Sequence, residues 1–321
     1  MQLDFSLPSS RLHALRAGAV WVTDPRAIFR VEGSGALTCL QGLLTNDLVT
    51  PGNGSLVYGA MLTPKGMIVF DAWVMREEAG FTILTHESAR AGALELFRRA
   101  LPPRLARVSD LTDTHQAAWL LGAAAAERLG RGIDGPIPSH GKVVRGGPDG
   151  AVLLGGGTTP APFAVLVVAP PVECERLAGK FSGRATVGDG ADLAAAEILA
   201  GWPALGREID TKTLPQEVRF DEIGGVSYTK GCYTGQETVA RIHFRGHVNR
   251  SLRGLVIEGA EPLQERTLML AGKEVGQARS ALSLEDKVLA LGFVRRELET
   301  GSALALGGRA ATVVALPFSG V

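Results

Sequence analysis

Cys232 lies in "SYTKGCYTGQETVARIHFRGHVNR", residues 227–250, between Gly231 and Tyr233, with Lys230 two positions before it and Arg241, Arg245 and Arg250 after it. An inert buried cysteine usually has aliphatic neighbours; this one has polar, glycine-hinged ones. Three readings are open. As a thiolate, the nucleophilic and soft-ligand form, Cys232 would be favoured by the nearby positive charge. As a metal ligand it would need His243 and His247 to converge on it. "ARIHFRG" has the mixed, β-rich pattern of a strand, which separates those histidines, and a zinc-type set would want a second cysteine. The third reading is a small packed residue. No Cys-His-Asn arrangement of a hydrolase can be recovered. On a strand, Arg241, His243, Arg245 and His247 share parity and point to one side, a cationic stripe suited to a carboxylate or phosphate partner.

The elements that must position this segment are mixed. "GAVWVTDPRAIFRVEGSGA" reads as two short strands about an Asp-Pro turn, and "ALTCLQGLLTNDL" as an amphipathic helix with apolar residues at 37, 40, 43, 44 and 48. "SLVYGAMLTPKGMIVFDAWVMREEAGFTILTHE" reads as three strands joined by turns, "TPKG" having proline second and glycine fourth. "SARAGALELFRRAL" is expected as a helix capped by Ser88 and closed by Pro102 and Pro103, and "AAWLLGAAAAERLG" as another helix. From Gly130 to Pro171 glycine and proline dominate, with the strand-like pieces "KVV", "AVLL" and "FAVLVV" embedded. "GGG" at 155–157 lacks the Gly-Lys-Ser/Thr and the helix of a phosphate loop. "PVECERLAGKF" and "ADLAAAEILAGWPALGREI" read as helices. After Arg250, short strands with glycine turns suggest a small barrel. The class is α+β, with a boundary near residue 250.

The chain has 321 residues, enough for two or three domains at about 100–200 residues each. Thirty-three acidic and 33 basic residues cancel, so global charge offers nucleic acid or an anionic membrane no attraction. Three cysteines without a CxxC pair point to a reducing, cytoplasmic setting. Cys39 and Cys174 fall on helices and read as packing residues. The first residues lack the apolar run of a signal peptide, and no apolar stretch reaches the roughly 20 residues that span a bilayer.

"KGCYTGQE", Lys230 to Glu237, resembles the signature of the YgfZ-type folate-binding proteins, relatives of the glycine-cleavage aminomethyltransferase (T-protein). "CLQGLLTNDL", "YGAMLTPKGMIVFDAWV", "LAGWPALGREI" and "LPQEVRFDEIGGVSYTKGCYTGQETVARIHFRGHVNRSLRGL" continue the likeness in order, and it thins between about 105 and 190. The resemblance implies a three-lobed, ring-like α+β molecule. Residues 1–250 would form the folate-binding region, two interleaved subdomains with the second at roughly 52–118, and 251–321 a C-terminal β-barrel. It implies a central funnel for tetrahydrofolate, or a formyl or methylene derivative, and a role in iron–sulfur cluster assembly or repair that supports tRNA modification indirectly. Partners would be iron–sulfur client or assembly proteins, without direct nucleic-acid contact. Cys232 would be the key residue, its loop shaped by Lys230, Gly231, Tyr233, Gly235, Gln236 and Glu237. Asp71 would lie near the folate, whose glutamate tail would run toward Arg241 and Arg245.

Two positions depart from the transferases. Leu199 stands where they carry the glutamate of an "EAG" triplet, with Glu197 on the same helix expected to face elsewhere. Phe70-Asp71 stands where they carry two aspartates. A tetrahydrofolate-dependent aminomethyl or methyl transferase is therefore the alternative function, and a pure interaction module a third.

Overall fold

The structure, a computed structural model, describes residues 2–130 and 136–318. Residues 131–135 of the glycine- and proline-rich stretch lie outside the described residues. Three sheets carry the fold.

The first sheet orders its strands Ser55–Leu62, Ile68–Glu77, Gly80–His86, Arg26–Glu32 and Arg107–Asp110, all neighbours antiparallel. Its two faces follow from the alternation of side chains along a strand. Phe70, Ala72 and Val74 join Phe29, Leu40 and Phe97 in a core on one side, beneath the helices Ala36–Gln41 and Arg90–Ala100. Trp73 and Met75, of the opposite parity, join the central core with Tyr58 and Leu84. Asp71 shares the parity of Trp73, so its carboxyl is directed to the middle of the molecule.

The second sheet has the order Thr186–Val187, Val20–Thr23, Gln116–Leu121, Val165–Ala169, Val152–Gly156 and Val143–Gly146. Its outer face, with Trp21, Leu120 and Val167, is covered by the helix Pro171–Lys180, where Cys174 is buried. Its inner face sends Trp119, Leu166 and Val168 to the central core.

The remaining strands, Arg250–Glu258, Thr267–Leu270, Lys273–Ser283, Lys287–Arg295, Ala303–Leu306 and Arg309–Val314, form a closed six-stranded antiparallel barrel. Closure comes from Lys287–Arg295, which pairs with both Arg250–Glu258 and Lys273–Ser283. The short strand Asp4–Ser6 adds to it in parallel, beside Ala281–Ser283.

Between the three sheets runs the helix Gly190–Ala200, buried over most of its length. Asp189 caps it, and the chain leaves it through Gly201 in the left-handed region, φ 66°. Gln236–Arg245 is the other helix that bears on the site. Among the described residues, no helix is long and apolar enough to cross a membrane.

Four local expectations change. "QAAWLL" is a strand, with only Ala125–Gly130 helical behind it. It lies inside the second sheet, covered on both faces, and such strands read as continuous apolar runs. Ser88 does not cap the helix at 90–100. A single 3-10 turn, Glu87–Ala89, precedes that helix, and the His86 ring accepts from the Ser88 amide. The helix at 36 stops at Gln41, although Leu44 and Leu48 beyond it are buried. "ARIHFR" is helical, so the parity argument for a one-sided strand of cations does not apply.

Candidate functional site

The Cys232 loop hangs on the segment that follows the helix Ala36–Gln41. The amides of Ser227 and Thr234 donate to the carbonyls of Thr45 and Gly42, each at 3.0 Å. Between them Lys230, 9% exposed, turns inward. Its ammonium donates to the carbonyls of Gln41 (2.7 Å), Leu44 (2.6 Å) and Asn46 (2.8 Å). An ammonium has three donors and no acceptor, so all three are taken. Lys230 therefore serves as a peg of the loop. Burial pushes its pKa down to about 8, with Asp47 acting in the opposite direction.

Cys232 itself is exposed. The buried Tyr233 anchors the loop behind it, with Lys230 Nζ 5.1 Å from its ring centroid, and its amide donates to Gln236 Oε1 at 3.2 Å. A Cβ at Gly231 would meet nothing within 4 Å, so that glycine is not required by close packing. Gly235 is different. Its φ is +82°, and a Cβ there would stand 2.6 Å from the Thr63 carbonyl oxygen in the "TPKG" turn. Gly235→Ala is expected to lower stability by about 1–3 kcal/mol, read as a shifted urea midpoint. An unchanged midpoint would mean that this contact does not hold the loop.

Behind Gly235 the helix Gln236–Arg245 buries Val239, and Gln216 Nε2 donates to the Val239 carbonyl at 2.9 Å. Helical spacing puts Glu237, Arg241, Phe244 and Arg245 along the outer side, and all four are exposed, Phe244 at 67%. His243 instead stacks on Tyr228, ring centroids 3.6 Å apart, and the Tyr228 hydroxyl bonds to Asp221. His247 lies beyond the end of the helix.

The second feature is a cleft at the meeting point of the sheets and the central helix. One part, of about 170 Å³, is lined by Asp24, Arg26, His86, Leu193, Glu197 and Arg207, among others. The other part, about 30 Å³, shares Arg26, His86, Leu193 and Glu197 and adds Asp71, Trp73, Trp119 and Trp202. Trp73 and Trp202 stack at 5.3 Å, and Tyr58 packs on Trp202 at 4.6 Å. The Arg26 guanidinium lies 5.1 Å above the Trp119 ring and 2.8 Å from Asp24 Oδ2.

Asp71 Oδ2 accepts the Tyr58 hydroxyl at 2.8 Å. Burial raises the Asp71 pKa, while the Tyr58 hydrogen bond and Arg26 hold it back. Above the ordinary carboxyl value of 3.8 the folded chain keeps a proton longer than the unfolded chain, so Asp71 costs stability as pH rises through its folded pKa. Asp71→Asn is accordingly expected to be more stable than the parent at pH 7, with the difference vanishing below about pH 4. A pH series of denaturant midpoints checks this, and a difference independent of pH would refute it.

Asp71, named from the resemblance, thus shares the cleft with Arg26, Trp202 and Arg207, which sequence reasoning did not single out, and with Glu197, which it expected to face elsewhere. The strand parity of Asp71 and Trp73 was the available signal. Neither cleft part is lined by Cys232, Arg241 or Arg245. Leu199 packs against the central core, and its carbonyl accepts from the Phe318 amide at 2.9 Å. Phe70 is core. A larger cavity of about 550 Å³ lies on the Tyr58 side, lined by Asp47, Asp221 and Glu222 without a cation. Its charge opposes a carboxylate-bearing ligand.

The GCVT N-terminal domain family matches residues 16–135. The chain superposes on the glycine cleavage system aminomethyltransferase T from Bartonella henselae with a TM-score of 0.82 at 21% identity, over 96% of this chain and 88% of that one. The three sheets, the central helix and the closed barrel are therefore the aminomethyltransferase fold, an α+β architecture. Among curated proteins, the tRNA-modifying protein YgfZ of Edwardsiella ictaluri (strain 93-146) is 32% identical over 226 residues, 69% of this chain and 66% of its own length. The protein of that name from Enterobacter sp. (strain 638) is 28% identical over 306 residues, 92% of each chain. The chain belongs to the YgfZ family, within the wider group of glycine-cleavage T-protein relatives.

Proposed function

We propose that this chain is a folate-binding accessory protein for iron–sulfur cluster assembly or repair, and that through this work it supports tRNA modification. The observation that carries the reading is the separation of two features. A closed-in cleft holds a carboxyl between aromatic walls, and an exposed thiol stands apart from it on a loop pinned by Lys230. The cleft suits the bicyclic end of a folate. Its larger part sets the apolar Leu193 and Ala194 beside Arg26 and the carboxyl of Glu197, and carboxyls can accept N–H donors. Cavities that enclose a whole drug-sized ligand run to about 300–1,000 Å³; this one is smaller, so the tail would lie outside. Bound tetrahydrofolate would supply one-carbon carrying capacity.

Cys232 would act on a protein partner or a cluster fragment. A single thiol does not hold a cluster, which needs several thiolates, so the remaining ligands would come from the partner. The outer side of the helix behind it, with Phe244 between Arg241 and Arg245, would face that partner rather than the folate. Calorimetric titration with tetrahydrofolate and its formyl derivative tests the folate half, with saturable one-to-one binding expected. Absence of binding at millimolar ligand would overturn it in favour of an interaction module. Methylene-folate formed from an aminomethyl donor would instead make the chain a transferase. A cytoplasmic location goes with the reading.

A further inference from the structure

The central helix shows one stripe to the cleft. Gly190, Leu193, Ala194 and Glu197 all line it, and their spacing of three and four places them on one face. Leu199, two residues beyond Glu197, is about 200° further round the helix and is not among the lining residues. The side chain that turns to the cleft is therefore the carboxylate expected to face elsewhere. Glu197 lies where the two parts of the cleft join, with Asp71 and Trp202 lining one part and Asp24 and Arg207 the other.

We propose that Glu197 is the carboxylate that recognises the amino-pyrimidine edge of a folate, in place of the side chain that Leu199 lacks. The inference rests on the folate reading above. The edge of a pterin presents two donors side by side, an exocyclic amino group and a ring N–H. A carboxylate has about four acceptor positions. Arg207 occupies one on Oε2, and Oε1 stands 3.8 Å from the Arg26 guanidinium. Acceptor capacity is left over, and the two guanidiniums fix the plane in which it is offered. Across the smaller part of the cleft Asp71 Oδ2 already accepts from the Tyr58 hydroxyl, so Glu197 is the carboxylate with acceptor positions to spare beside the larger part.

The experiment compares calorimetric affinities for folate and for its analogue with methyl in place of the 2-amino group, in the parent chain and in Glu197→Gln. In the parent, loss of a hydrogen bond to a charged acceptor is expected to weaken the analogue about tenfold or more. In E197Q, whose amide offers one acceptor and an unwanted donor, the ratio is expected to fall toward about 1. Taking the ratio within each protein removes any general loss of stability. If E197Q does not fold, Glu197→Asp keeps the charge for Arg207 but draws it back by one methylene, and the same ratio is read. Discrimination that survives unchanged in the variant overturns the Glu197 assignment and leaves folate binding standing. A parent chain that binds neither compound overturns both.

Discussion

Lys230→Met is expected to lower unfolding free energy by about 3 kcal/mol or more at neutral pH, the largest stability loss at any single residue of the signature loop. The estimate starts from three hydrogen bonds with a charged donor, each worth about 1.5–3 kcal/mol, less the cost of burying the ammonium. Methionine fills the stem volume but leaves the carbonyls of Gln41, Leu44 and Asn46 without their donor. The pH dependence has a definite sign. The folded amine releases its proton near 8 and the unfolded one near 10.5. Between those values the unfolded chain holds more protons, so the parent gains stability relative to the variant as pH rises. The gap should be smallest below pH 8 and widen toward about pH 10.5. Urea titrations across that range measure it, and a loss below about 1 kcal/mol at pH 7 would mean the peg is dispensable.

Cys232→Ala is expected to do the reverse, abolishing function while sparing the fold. The thiol is exposed and lines neither part of the cleft. Surface substitutions of this kind usually stay within about 0.5 kcal/mol, and folate affinity should not move. What should be lost is the support of iron–sulfur enzymes in cells, by tenfold or more if the thiol is the reacting group, on the order of a single catalytic group's contribution. Complementation with a measured cluster-enzyme activity decides it. Undiminished activity at normal folded levels would remove Cys232 from the mechanism.

Much of the architecture could be read from the chain because its signals were local. The turn at "TPKG" and the glycine-punctuated strands after Arg250 are written in adjacent residues. "QAAWLL" misled because alanine and leucine favour helices while burial on both faces of a sheet asks only for an apolar run. The error at "TVARIHFR" has the opposite cause. Its β-branched and aromatic residues favour a strand, but Val239 and Ile242 are spaced for a helix that docks on Gln216, and the packing decided it. The role of Lys230 was illegible, since its three acceptors are carbonyls some 190 residues away in the chain. Asp71 was named from the family resemblance, and only the structure shows that its strand parity with Trp73 turns it to the cleft, whereas Glu197, expected to face elsewhere, needed the orientation of a largely buried helix.

The parallel pairing of Asp4–Ser6 with Ala281–Ser283 has a bearing on how the molecule is made. During synthesis the early strand has nothing to pair with until the third of the six barrel strands has emerged, and Lys230 follows the Gln41 carbonyl it bonds to by 189 residues. Ring closure is therefore a late event, and loop-closure entropy is spent before these contacts give anything back. A substitution within residues 4–6 would therefore be felt at a barrel strand far along the chain.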